Sequence, residues 1–138
     1  MHWGLVALLG SWGLVMGLLT SLVGLPPLLE AGLWFGAYAV WIPVILWRRA
    51  PPFQTGLAAS LLSGVLVGPV QAALFDTYLA NNPLYVELMT GTANEARMGM
   101  VAQGIVAGFL FGLFVGGLSY GIAWLRGLPL DGHGAEAS

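Results

Sequence analysis

Residues 98–125 read MGMVAQGIVAGFLFGLFVGGLSYGIAWL, a run of 28 residues without a charged side chain. An α-helix rises about 1.5 Å per residue, so roughly 20 apolar residues cross the hydrocarbon of a bilayer. Glycine recurs at every fourth position, as Gly104, Gly108, Gly112 and Gly116. Residues at this spacing share one side of a helix, and glycines leave a groove there for another backbone. The pattern predicts a membrane span with a close helix contact.

The composition extends this prediction to the whole chain. Hydrophobic residues make up 58% of the 138 residues and charged residues 7%, with a mean hydropathy of +0.85. A soluble domain usually carries about 25% charged residues, so this sequence does not supply an ordinary soluble surface. The net charge is −2 and there is no lysine, so no basic patch for nucleic acid is expected. With no cysteine, disulfides and thiolate sites are excluded.

Three more apolar stretches precede the glycine-rich one. We therefore predict an all-α integral membrane protein with four transmembrane helices in an up-and-down bundle. The predicted spans are about 3–24, 28–47, 55–78 and 95–125. The first span is longer than the apolar region of a signal peptide and lacks a basic start, so we expect it to be retained. Residues 1–126 form one domain, and residues 127–138 are predicted to be a disordered cytoplasmic tail.

The arginines predict the orientation. Arg48, Arg49 and Arg126 fall on one side of an up-and-down chain, and Arg97 falls on the other. Short loops rich in arginine stay in the cytoplasm, so we predict a protein of the cell (inner) membrane with both termini inside. The long outer connection is predicted to hold a short interfacial helix near 83–90. A capping box at residues 92–95 should start the last span.

Small residues also repeat at four-residue spacing in other spans. The predicted helix-packing residues are Gly13, Gly17, Gly64, Gly68, Gly104, Gly108, Gly112 and Gly116. Helices in lipid associate through close packing of such faces. Two interpretations stay open: the bundle covers these faces internally, or the face from Gly104 to Gly116 is left for a partner or a second copy.

Polar residues collect at the predicted outer boundary. They are Glu30, Tyr38, Gln71, Asp76, Arg97 and Gln103. One interpretation is a set of interfacial anchors, with Arg97 paired to Asp76 or Glu30 as an outer latch. The other is a polar pathway for a small solute, because ionisable residues inside a bundle often mark one. A further alternative is an organic-cation site, since Glu30, Trp34, Tyr38 and Trp41 share one side of a helix.

No catalytic motif, phosphate-binding loop or metal-ligand spacing occurs in the sequence. The two histidines, His2 and His133, lie at opposite ends of the chain, so no metal site and no cofactor are expected. The predicted function is that of a non-catalytic, helix-packing accessory subunit or homo-oligomer. Its expected partners are the lipid bilayer and another membrane protein or a second copy. The alternative is a small-solute permease or channel.

Overall fold

The computed structural model describes residues 1–131, which form seven helices and no strand. In chain order the helices are α1 (Trp3–Gly10), α2 (Trp12–Leu22), α3 (Pro27–Trp47), α4 (Pro52–Ala73), α5 (Phe75–Asn81), α6 (Pro83–Leu88) and α7 (Ala93–Leu125). Four helical stretches are long and apolar enough to cross a membrane, namely Trp3–Leu22, Pro27–Trp47, Pro52–Ala73 and Ala93–Leu125. The all-helical class and the four candidate spans are therefore confirmed. Residues 132–138 of the predicted tail, including His133, lie outside the described residues.

The first predicted span is interrupted at Ser11, which separates α1 from α2. The Ser11 Oγ donates a hydrogen bond to the Leu8 carbonyl oxygen at 2.7 Å. A serine that bonds to the backbone of the preceding turn competes with the helical pattern. The span also ends at Leu22, earlier than the predicted residue 24, because Gly24 turns the chain with φ +71°.

The third span lies earlier in the sequence than predicted. It begins at Pro52, since a proline fits the first turn of a helix, and it ends at Ala73. Leu74 has φ −98° and ψ 29°, outside the regular helical values, and the chain restarts as α5. Residues 75–78 therefore belong to a separate helix, which the sequence did not predict.

The short helix predicted near 83–90 is present as α6, although it ends at Leu88. Gly91 takes φ +92°, a conformation that side chains rarely adopt. The capping box that follows is confirmed: the Thr92 N–H donates to Glu95 Oε2 at 2.7 Å, and the Glu95 N–H donates to Thr92 Oγ1 at 3.3 Å. These bonds fix the start of α7.

The closest helix contact joins α4 to α7. Gly56 lies against Gly116, and Gly64 lies against Gly104 and Gly108, so the two helices run antiparallel. A Cβ added at Gly108 would lie 2.7 Å from the Ser60 carbonyl oxygen. Only glycine permits this approach of the two backbones. The glycine face of α7 is therefore covered by α4 of the same chain, and the interpretation that it is left for a partner is wrong.

The other face of α4 packs against α1 and α2. A Cβ at Gly13 would clash with the Ser63 backbone, and a Cβ at Gly17 would lie 2.9 Å from the Val70 side chain. The Ser63 Oγ donates a buried hydrogen bond to the Gly10 carbonyl oxygen at 3.0 Å. The helix α4 thus lies between the N-terminal helices and α7, and it forms the centre of the structure.

The helix α3 is the least buried of the four candidate spans. A Cβ added at its Gly32 or Gly36 would have no atom of the described chain within 4 Å, apart from its own helical turn. The helix meets α7 instead through aromatic rings: the Phe111 ring lies 6.1 Å from that of Phe35 and 5.5 Å from that of Tyr38. Large rings hold the two helices apart, and a space remains between them.

Candidate functional site

A cavity of about 370 Å³ lies between α3, α4 and α7. Its wall on the α4–α7 side includes Gly64, Gly104 and Gly108. These glycines bring the two backbones together and contribute no side chain to fill the space in front of them. The close packing of α4 on α7 and the cavity beside it therefore have the same cause. Sites for small molecules usually measure roughly 300–1,000 Å³, so this volume is at the lower end of that range.

The cavity is lined at one end by Pro27, Glu30, Tyr78 and Tyr85, and its lining extends inward to Tyr38 and Phe111. Tyr38 also belongs to a buried cluster with Trp41, Ile45 and Val115. On the side away from Glu30, the cavity therefore ends at the hydrophobic core.

The structure brings four of the six predicted polar residues together in the cavity wall, namely Glu30, Tyr38, Gln71 and Gln103. The half-buried Glu30 lies beside the indole of Trp34, one helical turn further along α3. The Gln71 side-chain N–H₂ donates a hydrogen bond to Thr20 Oγ1 at 2.9 Å, which ties α4 to α2. The amide of Gln71 is thus held in place by a neighbouring helix.

The other two predicted residues lie apart from this group and are not part of the lining. The Arg97 Nη2 is 3.8 Å from Asp76 Oδ1, and the Asp76 side chain is 93% exposed. The Arg97 guanidinium also lies over the Phe75 ring, 4.8 Å from its centroid. Arg97 and Asp76 therefore connect α7 to α5 next to the cavity, with the geometry of the predicted latch.

Two tyrosines of the cavity were missed by the sequence reasoning. The rings of Tyr78 and Tyr85 meet edge to face with centroids 5.3 Å apart, beside Glu30. Burial raises the pKa of Tyr78 to about 12, and the negative charge of Glu30 and the neighbouring Tyr85 add to the effect. A phenol with this pKa is neutral at physiological pH and can donate a hydrogen bond.

The turn between α5 and α6 places these two tyrosines. The Asn82 side chain donates hydrogen bonds to the Thr20 and Tyr78 carbonyl oxygens, both at 2.8 Å, and makes no cap of its own to α6. Asn81 similarly donates to the Ser21 carbonyl oxygen at 3.0 Å. Two asparagines before a proline indicate a turn, and this pattern was visible in the sequence. The sequence did not show that their side chains donate hydrogen bonds to the backbone of α2.

One of the four residues of the predicted organic-cation site, Trp41, does not line the cavity. Trp41 is 4% exposed and belongs to the core cluster below the cavity, while Trp34 and Tyr38 line it. Trp41 lies nearly one turn beyond Tyr38 on α3, where it packs with Ile45 and Val115 in the buried cluster.

The cavity wall contains one carboxylate, several aromatic rings and two amides. Within residues 1–131, no group of three or more His, Cys, Asp or Glu side chains is placed to hold a metal ion. No family model, curated protein or solved structure matches this chain. The geometry of the cavity is therefore the main indication of function.

Proposed function

We propose that this chain is a small-solute permease of the cell (inner) membrane and that the cavity is its binding site. The observation that carries the proposal is a cavity of about 370 Å³, with polar groups, between helices long and apolar enough to span a bilayer. Ionisable residues that face the interior of a membrane bundle commonly mark a solute route. Glu30, Gln71 and Gln103 would orient the solute, and the rings would enclose its apolar part.

The proposed arrangement is an up-and-down bundle with both termini in the cytoplasm. Arg48, Arg49 and Arg126 support this orientation through the positive-inside rule. The cavity mouth beside Glu30 then faces outward, with α6 at the interface. Because the inner end is closed by the core, passage requires a conformational change rather than an open pore. The helix α3 is the element proposed to move, since it is the least buried span.

Filling the cavity tests this proposal. Ala107 lines the cavity on α7, whereas Ala102 is exposed on the same helix and does not line it. Purified wild type, Ala107→Leu and the control Ala102→Leu are reconstituted in liposomes. Uptake is measured for a benzyl-sized cation, a neutral compound and an anion.

We expect wild type and Ala102→Leu to take up at least one of the three compounds faster than protein-free liposomes do. Ala107→Leu should lose most of that uptake. Equal uptake with and without protein, or equal uptake by the two leucine variants, would reject the permease proposal.

An accessory subunit or homo-oligomer is the second candidate. It is favoured by Gly32 and Gly36 of α3, which no residue of the described chain covers. Such a face suits the close approach of another membrane helix. Mass measurement in mild detergent tests it: Gly36→Leu should release a partner or a second copy, and Gly99→Leu, another uncovered glycine, should not. A wild-type protein that is monomeric and free of partners argues against this candidate.

A further inference from the structure

The charge in the cavity wall is negative and is not balanced there. Glu30 is the only carboxylate in the lining, and the described residues of the wall include no Lys, Arg or His. Arg97, nearly one helical turn before the cavity-lining Met100, is not in the lining and lies against Asp76 and the Phe75 ring. A carboxylate in a region of low dielectric is costly unless an opposite charge is close to it. A cationic ligand would supply that charge.

Aromatic rings surround the position next to this carboxylate. Six rings line the cavity, those of Trp34, Phe35, Tyr38, Tyr78, Tyr85 and Phe111. They come from four helices, so they face the space from several sides. The centroids of Trp34 and Tyr38 are 6.0 Å apart and those of Tyr38 and Phe111 are 5.5 Å apart. An organic cation over the face of such rings is attracted by the negative charge of the ring face.

The same wall is unsuited to an anion. Recognition of a carboxylate or phosphate needs guanidinium, ammonium or several free N–H donors. Here the Gln71 amide already donates to Thr20 Oγ1 at 2.9 Å, and the lining holds no cationic side chain. An anion would also meet the charge of Glu30 directly.

We infer that the cavity selects a monovalent organic cation with an aromatic body, its charge lying between the Glu30 carboxylate and the rings of Trp34, Tyr78 and Tyr85. The body lies deeper, against the rings of Tyr38 and Phe111. This inference rests on the proposed function, because it names the class of solute for the same cavity.

Equilibrium dialysis of the purified protein in detergent tests the inference. The probes are radiolabelled benzyltrimethylammonium, benzyl alcohol and benzenesulfonate, which share one ring and differ in charge. Binding to protein-free micelles is subtracted. The variants are Glu30→Gln, which removes the charge and keeps the shape, and Glu87→Gln, which changes an exposed acid of α6 outside the cavity. Trp34→Leu is the third variant, and it retains Glu30.

We expect wild type to bind the cation in preference to the other probes. Loss of the carboxylate contact should weaken cation binding about tenfold or more, which corresponds to about 1.4 kcal/mol. Glu87→Gln should change it less than about twofold, in line with a remote exposed charge. Trp34→Leu should weaken binding of the cation more than that of benzyl alcohol, so the inference stays testable if Glu30→Gln does not fold.

If benzyl alcohol binds as well as the cation and Glu30→Gln binds both normally, the cation inference is wrong and a solute site remains. Preferential binding of benzenesulfonate would also overturn the inference. If no probe binds above the micelle background, both the inference and the proposed function fail.

Discussion

Replacing Gly108 by alanine tests the contact that shapes both the core and the cavity. The new Cβ would lie 2.7 Å from the Ser60 carbonyl oxygen and 3.0 Å from Gly64 Cα, whereas ordinary contacts begin near 3.4 Å. Both neighbours are backbone atoms of α4, so no side-chain rotation relieves the overlap. The helices must therefore separate by several tenths of an ångström.

The cost follows from that separation. A gap of about 0.5–1 Å loses roughly a quarter to a half of each dispersion contact along the interface, and overpacking typically costs about 1–3 kcal/mol. Alanine has a higher helix propensity than glycine, which offsets up to about 1 kcal/mol of this destabilisation. We therefore expect Gly108→Ala to lower the free energy of unfolding by about 1–2 kcal/mol.

The matched control is Gly117→Ala on the same helix. Apart from its own helical turn, no atom of the described chain lies within 4 Å of a Cβ added at Gly117, so this variant should be as stable as wild type or slightly more stable. Unfolding is followed by tryptophan fluorescence in mixed micelles with rising SDS. If Gly108→Ala proves as stable as Gly117→Ala, the close contact between α4 and α7 is refuted.

Ser63→Ala removes the buried 3.0 Å bond to the Gly10 carbonyl and should cost about 0.5–1.5 kcal/mol in the same unfolding assay; no change would mean that the bond does not form. Asp76→Asn should lower the free energy of unfolding by less than about 1 kcal/mol, because the ion pair is exposed. Arg97→Gln should lower it more, because the contact of the guanidinium with the Phe75 ring is also lost. Burial raises the pKa of Tyr78 to about 12, so the stability that its neutral form contributes is intact below about pH 10 and is lost as the pH rises towards 12. Ultraviolet titration of wild type against Tyr78→Phe checks that pKa, and a phenol that ionises near pH 10 would contradict it.

The sequence was sufficient for features that depend on local patterns. Long charge-free stretches predicted four candidate spans, and Thr92 with Glu95 predicted a capping box that the structure contains. These features depend on neighbours within a few residues. The break at Ser11 and the end of α4 at Ala73 were missed, because both depend on backbone choices that apolar composition does not specify.

The cavity was only partly predictable for a related reason. Helical spacing put Glu30, Trp34 and Tyr38 on one face of α3, and all three line the cavity. Tyr78 and Tyr85 are placed by the turn between α5 and α6, which the hydrogen bond from Asn82 to the Thr20 carbonyl holds against α2. A hydrogen bond between residues so far apart in the sequence cannot be predicted from residue spacing. Likewise, glycine spacing predicted a groove on α7, but only the fold shows that α4 fills it.

Photolabelling shows directly whether a solute occupies the cavity between α3, α4 and α7. An azide derivative of benzyltrimethylammonium is irradiated with the reconstituted protein, and the modified residues are identified by mass spectrometry. We expect labels on Trp34, Tyr38 or Phe111 that excess unlabelled benzyltrimethylammonium removes. Labels confined to exposed residues of α7 such as Phe114 and Leu118, unaffected by the competitor, would mean that the cavity is not the binding site.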